Sequence, residues 1–172
     1  MPYLEETKTL PSSIQIPTFV KLIGKILQFT SLKLTSWFAM KLFVTPVTYA
    51  TPKREKAMEK SAQKKKLIVP SIDKEIHVLS YGYSKKKVLL AHGWAGRSTQ
   101  LFMFADKLLE KGYMIISFDG PAHGKSSGKT TNMPEYMQTI KAINEEFGPF
   151  EAAVGHSFGA MALLNVSAEK NI

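Results

Sequence analysis

The sequence contains no cysteine, which excludes a disulfide framework, a thiolate zinc site and a cysteine nucleophile. It also lacks a long apolar run. Spanning a bilayer takes about 18 or more apolar residues, and Lys21, Lys25, Lys33 and Lys41 interrupt the most apolar region, 18–43. A secretory signal is missing too: residues 1–8 read MPYLEETK, with acids where such a signal carries Lys or Arg, and no small-residue cleavage site follows an apolar run. The default expectation is a cytoplasmic protein. Acids are scarce at the start, where residues 1–66 hold 12 Lys and Arg against 4 Glu, whereas residues 67–172 hold 11 against 10. The net charge of +9 is therefore a basic leader on a nearly neutral remainder, which argues against a nucleic-acid partner. At 172 residues, 44% hydrophobic and 22% charged, the chain has the composition of one globular domain, or one domain with an appendage.

Residues 1–17 carry Pro and Ser and read as loose. Between 18 and 43, Lys21, Lys25, Gln28, Ser31 and Thr35 form one polar stripe at helical spacing while apolar residues cover the rest, predicting one or two helices closed by Pro46. Thr51-Pro52 resembles an N-cap and first turn, and the run 53–66 reads as a solvated helix ending in the Lys64–Lys66 cluster. Beyond it, strands alternate with helices. Leu67-Ile68-Val69 and EIHVLS at 75–80 suggest a hairpin; VLLA at 88–91 and MIISF at 114–118 read as strands buried on both faces. Helical spacing marks 98–111, 133–147 and 157–170, with a short strand at 152–154. Such alternation implies an α/β fold with a mostly parallel sheet and right-handed crossovers.

Three turns follow three of these strands. The run 88–91 leads into His92-Gly93-Trp94-Ala95-Gly96, and 114–118 into Asp119-Gly120-Pro121-Ala122-His123-Gly124-Lys125-Ser126. The strand at 152–154 leads into Gly155-His156-Ser157-Phe158-Gly159, a G-x-S-x-G sequence placed between strand and helix. A nucleophile on a tight strand-to-helix turn needs strained backbone angles and neighbours without bulk, so that its Oγ projects above the sheet. These motifs, in this order, resemble the α/β-hydrolase superfamily across 67–172; Ala122 stands where Gly is common, and 1–66 lie outside the resemblance.

The resemblance implies Ser157 as nucleophile and the backbone N–H groups of Trp94 and Phe158 as oxyanion donors. It implies Gly155, His156 and Gly159 as the elbow, and His92, Gly93, Asp119, His123 and Gly124 as supporting turns. No metal or cofactor is implied, and the substrate is a small-molecule ester or thioester. Serine at the elbow argues against the dehalogenase and epoxide-hydrolase branches, which use a carboxylate there. Read from the residues alone, Ser157 is otherwise a helix N-cap; His156 is too close in sequence to serve it as base, His92 and His123 suit loop ordering, and His77 has no argued role. The superfamily's acid and histidine follow the serine in chain order, but after Ser157 there is one acid, Glu169, and no histidine. The chain is therefore expected to be a fragment: a basic helical extension (1–66) and the N-terminal portion of a hydrolase domain (67–172), inactive by itself. The alternative is a non-catalytic interaction protein on a hydrolase scaffold. For residues 18–66 the favoured expectation is packing across the core, with contact to a membrane surface as the competing one.

Overall fold

Valine, leucine and isoleucine runs too short for helices become the centre of a sheet. The computed structural model describes residues 16–170, so the loose segment expected at 1–17 falls, up to residue 15, outside them. Five strands, β1 (Gln63–Val69), β2 (Lys74–Tyr81), β3 (Lys87–Ala91), β4 (Met114–Phe118) and β5 (Ala152–Gly155), form one sheet in the order β1-β2-β4-β3-β5. β3 runs parallel to both β4 and β5, β2 is antiparallel to β4, and β1 closes an antiparallel hairpin with β2. The hairpin turns through Pro70–Ile72 and Asp73, which adopts a left-handed φ of 49°.

Both sheet faces are covered, which is why the central strands are apolar without alternation. Leu89, Ala91, Ile116 and Phe118 point into a core shared with Tyr136, Ile140 and Ile143 of α5 (Met133–Phe147) and Ala162 and Val166 of α6 (Phe158–Lys170). Val88, Leu90 and Ile115 point the other way, onto Ala105 of α4 (Phe102–Glu110) and Met58. The α5 boundaries are those predicted from sequence. Asn132 caps it by accepting the Glu135 N–H at 3.0 Å, proline occupies the first turn, and Gly148 follows the end.

Three expectations are corrected. The run 53–66 is not one solvated helix: a single 3₁₀ turn (Lys53–Glu55) follows Pro52 with no side-chain cap, α3 (Lys56–Ser61) is six residues long, and Glu55, Met58 and Ala62 are buried. Lys64–Lys66 do not end a helix but lie exposed on β1, where pairing with 77–79 of β2 overrides helical propensity and an edge strand accepts charge. α4 begins at Phe102 and not at 98, because the residues before it are held by hydrogen bonds to other parts of the chain. At the other edge, β5 leaves Ala152 and Ala153 exposed.

The chain divides after Phe43 into two compact units. The first contains α1 (Thr18–Thr30) and α2 (Leu32–Phe43), two short helices in contact with each other, broken at Ser31. No helix among the described residues is long and apolar enough to cross a membrane.

Candidate active site

Ser157 stands between β5 and α6 with a left-handed φ of 50°, a conformation costing an L-residue about 1–2 kcal/mol. The surrounding backbone imposes it. His156 N–H donates to Ala91 O at 3.0 Å, tying the elbow to the end of β3, and Gly159 N–H donates to His156 O at 3.0 Å. The flanking glycines are required by space. A Cβ on Gly159 would lie 2.5 Å from the carbonyl oxygens of both Ala91 and His92, and one on Gly155 would lie 2.5 Å from Ala160 Cα. The serine side chain is left exposed at the carboxyl edge of the sheet, where α/β folds place their ligand crevices.

The turns after β3 and β4 are laced together by buried polar side chains. Asp119, only 2% exposed, accepts the Ser98 N–H at 2.6 Å on one carboxylate oxygen and the Lys125 N–H at 2.8 Å on the other. Gly124, at φ 50°, leaves room for it, since a Cβ there would sit 2.3 Å from Asp119 Oδ2. His92 accepts the Gly120 N–H on Nε2 at 2.8 Å, so its proton is on Nδ1, facing Gly93 O at 2.7 Å. His123 repeats the arrangement: Nε2 accepts the Ala95 N–H at 3.1 Å and Nδ1 faces Pro121 O at 2.9 Å. Both imidazoles thus have both nitrogens engaged by main chain, and neither is free to take a proton from Ser157. His156 is exposed, with its ring against Gly93, where a Cβ would come within 2.6 Å of Nδ1. His77 lies on β2, its backbone bonded to Ser126 Oγ and Asp119 N–H.

Burial and the neighbouring His123 hold His92 down to about 4, and burial holds His123 and the half-buried His77 below the usual histidine range. In the unfolded chain these groups titrate near 6.5. Between about pH 4 and 6.5 the unfolded state therefore binds more protons, and stability falls as pH falls. From His92 alone, lowering the pH from 7 to 5 is expected to remove about 2 kcal/mol, with His123 and His77 acting in the same direction. Urea titrations at the two pH values check this; equal unfolding free energies would show that the buried imidazoles are charged in the fold.

Several residues unmarked in the sequence complete the site. Tyr136, fully buried on α5, donates its hydroxyl to His92 O at 2.9 Å, and burial raises that hydroxyl well above its usual value, so it stays a neutral donor. Gln100 Oε1 accepts the Gly93 N–H at 3.0 Å. Ser126 Oγ donates to Asp119 O at 2.6 Å. Of these, Ser126 lies within the run quoted after β4, whereas nothing in the sequence sets Tyr136 or Gln100 apart from the helical stretches that hold them. The rings of Trp94 and Phe158 meet edge to face at 5.2 Å, and Tyr136 meets Phe158 at the same distance, so the residues after β3 and after β5 are neighbours.

A cavity of about 220 Å³ opens between Tyr49, Thr51, His77, Arg97, Asp119 and Lys125, but Ser157 is not in its wall. Its cations have acidic partners: Lys125 pairs with Glu59, and Arg97 lies 3.8 Å from Glu55. Among the described residues no three His, Asp or Glu side chains are grouped to hold a metal ion.

Residues 88–170 match the model of the alpha/beta hydrolase family. No curated protein sequence matches the chain. Among solved structures, an esterase of Pyrococcus furiosus superposes with a TM-score of 0.62 at 22% identity, over 74% of this chain and 52% of its own. The thioesterase domain from the curacin biosynthetic pathway gives 0.58 at 24% identity, over 64% and 42%. An epoxide hydrolase of Vigna radiata gives 0.58 at 17%, over 65% and 37%. The chain thus spans about half or less of the structures it matches, and at these identities the likeness is one of fold.

Proposed function

We propose, on the match of residues 88–170 to the alpha/beta hydrolase family and the likeness of fold, that this chain carries the nucleophile and oxyanion site of a serine hydrolase acting on a carboxylic ester or thioester. Ser157 Oγ attacks the acyl carbonyl, the C–O or C–S bond breaks, and the alcohol or thiol departs with a proton, leaving an acyl-serine that water then hydrolyses. The developing oxyanion is met by the N–H groups of Trp94 and Phe158, the second at the positive end of the α6 dipole. His92 and His123 are already engaged by main chain, which supports a base for the Ser157 proton, and an acid to orient it, supplied from outside these 172 residues.

The observation that carries this reading is the left-handed Ser157 on its two-glycine turn, exposed beside the residues that follow β3. A plain N-cap serine has no use for that strain, since capping is made from extended backbone. In the whole protein a fluorophosphonate probe is expected to modify Ser157, read by mass spectrometry of the labelled peptide. Residues 1–172 alone are expected to hydrolyse p-nitrophenyl acetate no faster than their Ser157→Ala variant. Label found on another residue would overturn the assignment of the nucleophile, and Ser157-dependent turnover by 1–172 would overturn the external base.

A further inference from the structure

The two helices that precede the hydrolase-like region expose apolar side chains and carry charge of one sign. On α1, Phe19, Leu22, Ile23, Ile26 and Phe29 recur at spacings of three and four, so they share one face; all are exposed, Phe29 to 89%. On α2, Leu32, Leu34, Trp37 and Met40 are exposed as well. Neither helix contains a buried residue. Clustered exposure of this kind exceeds the scattered apolar residues of an ordinary protein surface and marks a site of interaction. Residues 7–54 contain seven Lys and Arg and no acid, with Lys21, Lys25, Lys33 and Lys41 inside the two helices.

We propose that α1 and α2 together form a monotopic element that binds the surface of an anionic lipid bilayer. Charge complementarity selects this occupant. A purely cationic apolar surface fits anionic headgroups over an acyl layer, in which Phe19, Ile23 and Trp37 lose water while the lysines stay at the phosphates. Length fixes the mode: helices of 13 and 12 residues are about 20 Å long and fall short of a hydrocarbon core of about 30 Å, so they lie in the interface and do not cross it. The proposal does not depend on the chemistry at Ser157.

The test uses the full chain with Trp94→Phe, so that Trp37 alone reports. With vesicles of about 30% phosphatidylserine in phosphatidylcholine at low salt, sedimentation with the lipid and a blue shift of Trp37 emission are expected. Raising salt to about 0.5 M should weaken binding at least tenfold. Each lysine is worth about fivefold near such a surface, so Lys21→Gln with Lys25→Gln should cost about 25-fold without altering helix content by circular dichroism. Pure phosphatidylcholine vesicles should bind far less. Absence of binding at low salt, equal binding to both vesicles, unchanged binding of the lysine variant, or a lipid-free dimer that already shields Trp37 would each overturn the proposal.

Discussion

Ser157→Ala in the whole protein is expected to lower kcat/KM for a short p-nitrophenyl ester by about ten-thousand-fold or more, about 5.5 kcal/mol of transition-state stabilisation. The substitution removes the Oγ that forms the acyl bond and little else. Alanine has the same Cβ as serine and accepts the left-handed φ of 50° at similar strain, while Gly155 and Gly159 keep the turn seated on β3. The variant should therefore unfold at an urea concentration close to that of the parent, so the kinetic loss reports chemistry and not folding. What activity survives would come from the oxyanion donors and substrate binding, which act without the nucleophile. A loss under tenfold in a folded variant would remove Ser157 from the reaction.

Glu55→Ala is expected to destabilise the fold by about 3 kcal/mol or more, the largest effect on stability anticipated here. Glu55 is 5% exposed and Arg97 8%. The Thr99 hydroxyl donates to Glu55 Oε2 at 2.7 Å, Arg97 Nε lies 3.8 Å from the same oxygen, and the Arg97 guanidinium stacks 4.0 Å over the ring of Tyr49. Without the carboxylate, a buried guanidinium loses its counter-charge and a buried hydroxyl its acceptor, and both penalties fall on the unpaired groups. Adding Arg97→Met should recover most of the loss, because a pair replaced as a whole leaves no isolated charge. Urea unfolding of the single and double variants measures the coupling. A single variant within 0.5 kcal/mol of the parent, on the order of an ordinary surface substitution, would show that the contact contributes nothing.

The two expected results draw on different layers of information. The elbow was legible in the sequence because every requirement for it is local: a short apolar strand, a serine between glycines, and a helix immediately after. The strand–helix alternation was legible for the same reason, since continuous apolar runs such as 88–91 and 115–116 suit only strands covered on both faces. So was α5, whose cap Asn132, N-terminal proline and following Gly148 are neighbours in the chain.

The Glu55 cluster was not legible. It joins residues more than forty positions apart, and nothing in the run KREKAMEK separates Glu55, which ends buried, from Glu59, which stays partly exposed beside Lys125. The same holds for Lys64–Lys66, whose own propensity favours a helix until β2 offers seven paired positions. It holds also for Tyr136 and Gln100, which reach the β3 turn from α5 and from the turn before α4. The sequence by itself determined where the strands lie and which serine stands on the turn, because backbone strain and hydrophobic periodicity act over a few residues. Only the tertiary structure decided which histidine nitrogens are engaged by main chain, which charges are buried together and which basic run becomes an edge strand, because each depends on a partner that the chain brings near only when it folds.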